Sequence, residues 1–367
     1  KRGKEGTGMT KNTVIPFGPQ HPVLPEPLQL RLTMEDGRVV EAIPSIGYIH
    51  RGLEKLAERK DFIQDVYLIE RVCGICSFIH SQAYCQGIET LLGIEPPARA
   101  KYLRVFWAEL HRLHSHLLWL GLFADSFGFE SLFMQVWRIR EGILGLMEAT
   151  AGARIMLGTC CIGGVRRDVP DEEFSGIRSR IESLRADTLE ILPAVRDDIT
   201  VKTRTVGVGV LSAEAARVTG AVGPVAKACG IALDHRTRGY AAYGDLDFEV
   251  VTHTEGDSYA RMLVRCEEIL QSFGLVEQAL AKMPATPIAT PFRGNPDGET
   301  IERVEQPRGE VMYYLRANGS PMLDRVRIRT PTFANVPALL AMVPGCSTSD
   351  VPVIILSIDP CISCTER

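Results

Sequence analysis

The sequence predicts a mainly α protein with a small N-terminal β-sheet, an α+β fold built around a central bundle of long helices. Three observations carry this expectation. Apolar residues recur with helical period over long windows between residues 98 and 283. Strand-like alternation is confined to the first 45 residues and to short pieces after Pro284. Two Cys-x-x-Cys pairs, Cys73/Cys76 and Cys361/Cys364, stand near opposite ends, 288 residues apart. If those pairs share one site, a single folded unit must span everything between them. Residues 9–367 therefore read as one domain, although a length of 367 residues by itself allows two or three. Residues 1–8 read as a remnant foreign to the native chain, with Met9 as its start.

In chain order, Leu28, Leu30, Leu32 and Met34 alternate, and Val39 and Ile43 resume the pattern after the Asp36-Gly37 turn. That predicts a hairpin or small sheet over residues 14–45. The preceding segment from Pro16 to Pro27 is too proline-rich for a helix and reads as an ordered loop. Arg51 to Arg71 is read as one amphipathic helix, with Leu53, Leu56, Phe62, Val66 and Ile69 as its buried face. Further helices are expected over 78–92, 98–124, 132–157, a charged stretch 171–199, and 257–283. Residues 203–256 are rich in glycine and read as irregular. Beyond Pro284 the expectation is strands at Glu310–Arg316 and Arg325–Arg329, a short helix at Val336–Met342, and an apolar strand Val353–Ile358 leading into the last cysteines.

Composition narrows the function. With 45% hydrophobic and 23% charged residues the chain is ordinary globular material. A net charge of −4 gives no basic footprint for nucleic acid. Ten cysteines without a signal-like N-terminus suggest a reducing compartment, where thiols are free or metal-bound. No apolar run reaches the ~18 residues of a membrane span. Cys85, Cys160, Cys161, Cys229, Cys266 and Cys346 are assigned to packing.

The chemistry concentrates in the cysteine pairs. A Cys-x-x-Cys turn aims two thiolates at one metal, and two turns supply four soft ligands, which select zinc, iron–sulfur or another thiophilic metal. On the residues alone, Glu26 is equally well a solvated loop carboxylate, Arg308 a surface turn residue and His80 a core histidine. His111, His114 and His116 crowd one helix and are assigned to packing and interface roles rather than to a metal.

The neighbours of the cysteines carry a more specific signal. Gly18-Pro-Gln-His-Pro22, Gly47-Tyr-Ile-His-Arg-Gly-Leu-Glu-Lys-Leu56, Arg71-Val-Cys-Gly-Ile-Cys-Ser-Phe-Ile-His80, Ser115-His-Leu-Leu-Trp-Leu-Gly121, Gly163-Gly-Val-Arg-Arg-Asp168, Pro307-Arg-Gly309 and Asp359-Pro-Cys-Ile-Ser-Cys-Thr-Glu-Arg367 occur in this order. The chain from Val14 to Arg367 thereby resembles the large, catalytic subunit of [NiFe] hydrogenases. It is most similar to the membrane-bound, energy-converting group 4, itself related to the quinone-site subunit of respiratory complex I. Those complex I relatives share the His-Arg-Gly region and lack the four cysteines.

The resemblance implies the [NiFe]-hydrogenase large-subunit fold and a nickel–iron centre whose iron carries CO and two cyanides. Cys73, Cys76, Cys361 and Cys364 would hold nickel, with Cys76 and Cys364 bridging to iron. It casts Cys361 as first proton acceptor and Glu26 as the relay glutamate. Arg308 would overhang the metals, with Pro307 beside it. Thr332 would donate to a cyanide, and Pro331 would shape an apolar wall. Asp359 would orient Arg308 or the turn before Cys361, and His80 would support a bridging sulfur without itself binding metal. Glu54 occupies the place of a carboxylate that binds Mg²⁺ near the C-terminus in some relatives, which carry His where this chain has Arg367.

The chain offers no further cysteine cluster, so it is expected to hold no iron–sulfur cluster of its own. Electrons would pass to a small iron–sulfur subunit, then to a ferredoxin-like subunit, with ferredoxin as redox partner and membrane ion-translocating subunits attached. A maturation protease and metal-insertion proteins are implied, and an end at Arg367 is what trimming after the last cysteine would leave. The expected location is the cytoplasmic side of the membrane, peripheral and held by partners. Two alternatives stay open: a complex-I-like coupling subunit without catalysis, and a structural zinc site of four cysteines.

Overall fold

A computed structural model describes residues 13–22, 24 and 26–367. The proposed foreign segment 1–8 and Met9 lie outside the described residues, as do Val23 and Pro25 of the proline-rich loop. The chain is an α+β structure. Strands β1 (Thr13–Phe17), β2 (Gln29–Glu35) and β3 (Arg38–Ser45) form an antiparallel meander. Leu30 and Leu32 point inward with no exposure, as their alternation predicts.

The predicted helix 51–71 is two short helices, α1 (Leu53–Ala57) and α2 (Asp65–Glu70). Asp61, whose carboxylate accepts from Ile63 N, turns the chain between them. Leu56, expected to be buried, is 39% exposed, because the break removes it from the common face. The long helices then follow: α3 (Ser77–Leu92), α4 (Ala98–Asp125) and α5 (Glu130–Ala151). Helix α5 stops before the predicted Leu157, at Gly152 in the left-handed conformation that favours glycine. A two-stranded ribbon, β4 (Cys160–Cys161) with β5 (Gly164–Val165), leads to α6 (Phe174–Arg196).

Residues 203–256 are less irregular than their glycines suggested, since α7 (Ile199–Thr205), α8 (Ala213–Thr219) and α9 (Pro224–Lys227) lie there or at its edge. Each is too short for a period to show. Helix α10 (Ser258–Ala281) begins at Asp257, which accepts from Ala260 N. Strands β6 (Asp297–Gln306), β7 (Gly309–Asn318) and β8 (Arg325–Arg329) form a second antiparallel sheet, of which β6 was not expected. Helices α11 (Pro331–Met342), α12 (Val351–Ser357) and α13 (Ile362–Glu366) finish the chain.

The apolar strand predicted at Val353–Ile358 is a helix: α12 covers it, with Ile358 as its C-cap. Val353 to Leu356 are 0–5% exposed, so burial on every side erased the period that separates helix from strand.

Two apolar cores result. The larger joins α2 through α6, α10 and the second sheet. The smaller sandwiches the N-terminal sheet with α8, α9, α11 and α12. Polar residues enter the α4 core in pairs: Arg104 with Glu89, Arg112 with Glu109 and His116 with Glu268. Among the described residues no helix is long and apolar enough to cross a membrane.

Candidate metal centre

The four cysteines meet where the two cores adjoin, each 0–1% exposed. Cys73 and Cys76 lie in the turn between α2 and α3, Cys76 being the α3 N-cap. Cys361 is the N-cap of α13 and its sulfur accepts from Cys364 N. Like faces like across the site: Cys73 Sγ lies 3.4 Å from Cys361 Sγ, and Cys76 Sγ lies 3.5 Å from Cys364 Sγ. Among the described residues, the groups placed to share a metal are Cys73, Cys361 and Cys364, and Cys76, His80 and Cys364.

The thiols titrate unequally. Hydrogen bonds from Cys361, Cys364 and Cys76 hold the Cys73 thiol well below its ordinary pKa. Burial pushes Cys76 and Cys364 well above theirs, and Cys361 is raised by its bonds with Cys364 and Cys73. Such a dry cage tolerates one thiolate; four require cationic charge among them, which a thiophilic metal supplies on displacing the protons. The donor set thus fits a nickel–iron group.

Arg308 sits on the two-residue Pro307-Arg308 tip of the β6–β7 hairpin, closed by the Gln306–Gly309 pair. Pro307 is buried. Gly309 has φ +124°, and Gly223 packs so close that a Cβ on it would lie 2.4 Å from Arg308 O. The guanidinium is 2% exposed. Its Nε donates to Asp359 O and its Nη2 to Asp359 Oδ1, both at 2.8 Å, while Nη1 donates to Ser115 Oγ at 3.0 Å. Burial opposes its charge, but Asp359 and the cysteine sulfurs outweigh that and raise its pKa. Asp359 adopts φ +55°, a left-handed conformation that Asp tolerates better than most, and so turns α12 into the cysteine turn.

His80, one helical turn beyond Cys76, places Nε2 at 3.4 Å from Cys364 Sγ. Its Nδ1 is 2.6 Å from Tyr313 OH. A Tyr313 hydroxyl donating to Nδ1 leaves the Nε2 proton directed at the sulfur. Thr332 Oγ1 accepts from Cys361 N at 3.1 Å, leaving its own proton free to donate, and Pro331 opens α11 beside it in the buried wall. Glu26 lies against the second turn and accepts from Ile362 N, Ser363 N and Ser363 Oγ.

His111, His114 and His116 are buried in the α4 core. His116 Nε2 donates to Glu268 at 2.9 Å and His114 Nδ1 accepts from Arg140 Nε at 3.1 Å. Glu54, the expected place for a possible Mg²⁺, has protein partners on both carboxylate oxygens. Glu54 Oε1 accepts from Ile328 N (2.8 Å) and Arg367 Nε (3.1 Å), and Oε2 accepts from Arg327 Nη1 (3.1 Å). Two guanidinium groups already balance this carboxylate, and a divalent cation would be repelled by them.

Sequence reasoning assigned no role to Ser115, Tyr313, Arg51 or Glu366. Ser115 carried a signal, since it opens a motif already singled out. Arg51 and Glu366 also stand in motifs already singled out, but they act through backbone groups, so only the fold shows what they hold.

A buried cage of four thiols on a helical α+β scaffold defines the class of a soft-metal centre, and comparison with known proteins agrees. The family model described as nickel-dependent hydrogenase matches residues 51–122. The model described as respiratory-chain NADH dehydrogenase, 49 Kd subunit, matches 126–294 and 289–367. The chain is 41% identical over 358 residues to the carbon monoxide-induced hydrogenase of Rhodospirillum rubrum, covering 96% of this chain and 99% of that one. It is 38% identical over 375 residues to the membrane-bound hydrogenase subunit alpha of Pyrococcus furiosus, covering 96% and 87%. It is 35% identical over 389 residues to a subunit of the NADH-quinone oxidoreductase of Rhizobium etli (strain CIAT 652), covering 98% and 96%. The chain belongs to the family that unites nickel-dependent hydrogenase large subunits with the 49 kDa subunit of respiratory NADH dehydrogenase. Within it, the chain stands with the group 4 membrane-bound, energy-converting hydrogenase large subunits.

Proposed function

We propose that this chain is the catalytic subunit of an energy-converting [NiFe] hydrogenase, interconverting H₂ with two protons and two electrons. The observation that carries the proposal is the union of all four cysteines in one buried cluster, close enough for their sulfurs to act on the charge of Arg308. A nickel–iron pair, its iron carrying CO and two cyanides, would supply the Lewis acidity and redox capacity for splitting H₂.

The chain's own residues do the rest. Cys73, Cys76, Cys361 and Cys364 would hold the metals, with Cys76 and Cys364 assigned the bridging role. The His80 imidazole beside Cys364 supports that role for Cys364. Arg308, locked by Asp359 and Ser115, presents a fixed positive charge to the site, and Pro307 and Pro331 keep it apolar. Thr332 would donate its hydroxyl proton to a cyanide. Cys361 takes the first proton. Glu26, whose carboxylate lies against the next two residues, passes it onward.

Electrons leave through a small iron–sulfur subunit and a ferredoxin-like subunit to ferredoxin. Ion-translocating membrane subunits hold the chain at the cytoplasmic face, and a maturation protease with metal-insertion proteins prepares it. The relatives' names support such an assembly: one is a membrane-bound hydrogenase subunit, another a subunit of NADH-quinone oxidoreductase.

A second reading, a complex-I-like coupling subunit, is favoured by the 49 Kd subunit match across the second cysteine pair. The purified complex separates the two. A hydrogenase evolves H₂ from a reduced low-potential dye, contains nickel in addition to the iron of its clusters, and loses both nickel and activity on Cys361→Ser. A complex that contains no nickel and is indifferent to Cys361→Ser contradicts the proposal.

A further inference from the structure

The second cysteine turn is gripped by the segment Gly47 to Glu54 through hydrogen bonds and ion pairs. The Glu366 carboxylate accepts from Gly47 N and Ile49 N. His50 Nδ1 donates to Glu366 O at 2.6 Å. Arg51 does something different. Its Nη2 donates both to Val72 O at 2.7 Å and to Ser363 O at 2.9 Å, and its Nη1 donates to Arg71 O at 2.9 Å. Val72 immediately precedes Cys73, and Ser363 immediately precedes Cys364. One planar guanidinium therefore ties the backbone of the first cysteine turn to the backbone of the second.

At the far end of the same segment, Glu54 takes Arg367 and Arg327 as counter-ions. Arg367 also donates from Nη1 to Thr365 O at 2.7 Å, and its guanidinium lies 5.1 Å from the Phe333 ring centroid. It thus caps α13 and fills the space before Glu54.

We infer that the two cysteine turns are set at their working distance by this cation-free clamp, with Arg51 as the positioning residue and the Arg367 guanidinium standing where a divalent cation would otherwise bridge Glu54 to the last helix. The inference rests on the proposed nickel–iron site, because what Arg51 positions are its ligands. A guanidinium suits the task. Its donors are rigidly forked and permanently charged, so the gauge varies neither with pH nor with Mg²⁺ supply.

The test uses the intact complex and three readouts: nickel and iron content, magnesium content, and the infrared CO and CN bands. Arg51→Met removes the bridge, and Arg51→Lys keeps a charge with one point of contact. The clamp predicts that Arg51→Met loses most of its nickel or retains it with displaced bands, and that Arg51→Lys falls between Met and wild type. If neither variant loads metal while the complex still assembles at full size, the fork itself is required, which also supports the clamp. Wild-type metal content and band positions in both variants overturn it. Prolonged dialysis of the wild type against EDTA should leave bands and thermal midpoint unchanged, with no stoichiometric magnesium released. Release of one magnesium per chain with a fall in midpoint would overturn the cation-free part. A wild-type complex with no nickel and no such bands would instead refute the hydrogenase proposal, and leaves a distinct signature from failure of the clamp.

Discussion

The turn at Cys73–Cys76 and the turn at Cys361–Cys364 present the same pair of thiols, but the chain holds them by different means. The first is set in apolar packing: Ile69, Val72, Phe78 and Ile79 around it are 0–1% exposed and belong to the large helical core. The second is held by polar contacts from distant parts of the chain. Glu26, Arg51, Thr330 and Thr332 bind its backbone, and Glu366 just beyond it is bound by the segment at Gly47. The difference teaches that the first turn is a fixed wall and the second a seated lid. Apolar burial is non-directional, whereas hydrogen bonds specify one register and lose their worth when misaligned. The lid also carries Cys361, with Glu26 lying against it, so its polar setting would serve the proposed proton transfer as well as seating.

The contrast can be broken by substitutions, starting with those of largest effect. Cys73→Ser on the wall and Cys364→Ser on the lid should be equivalent, each abolishing nickel binding and H₂ turnover in the assembled complex. A variant that keeps both would remove its cysteine from the site. Next, Glu26→Gln should lower turnover by roughly 10²–10⁴-fold, the usual contribution of a general acid–base group, at unchanged nickel content. Arg308→Lys should cost ~10²–10³-fold, because an ammonium cannot reproduce the three contacts to Asp359 and Ser115. Parallel loss of nickel in either would show a structural role instead.

Stability should divide the regions in the opposite sense. Ile79→Ala, behind the wall, leaves a core cavity and should cost ~2–5 kcal/mol in denaturant unfolding. Thr332→Val, behind the lid, leaves Cys361 N without its acceptor and should cost ~1–3 kcal/mol. Equal costs would erase the distinction.

A further effect is on pH dependence, and it belongs to the helical side. Burial lowers the pKa of His111 and of His116 from 6.5 to about 4. Above pH 6.5 both states are neutral there and stability is flat. As pH falls below 6.5, the unfolded chain binds protons that the folded chain refuses. Stability should therefore drop toward pH 4 by about 1.4 kcal/mol per pH unit for each histidine, levelling off below. A thermal midpoint that does not fall between pH 6.5 and 4 would contradict this.

Much of this architecture was legible because it rests on long periods and rare residues. Helices α3, α4, α6 and α10 are each at least 16 residues long and show their periodicity plainly. The four cysteines announce a soft-metal site through spacing alone. Short elements were not legible. A seven-residue apolar segment such as α12 is period-blind when buried all round, and the break between α1 and α2 depends on a turn at Asp61 that leaves no apolar mark. Around the site, side chains with chemistry of their own, such as Glu26 and Arg308, could be picked out through a resemblance. The roles of those that work on backbone carbonyls and amides, Arg51 and Glu366 above all, became visible only when the fold brought residues more than 300 positions apart into contact.

The central claim is that the wall and the lid close on one nickel–iron group. An infrared spectrum of the purified complex tests it most directly, since CO and cyanide on a single iron absorb where no protein group does. The account predicts one carbonyl and two cyanide bands, all lost on Cys364→Ser. A spectrum without them, in a complex whose metal analysis shows zinc and no nickel, would contradict it.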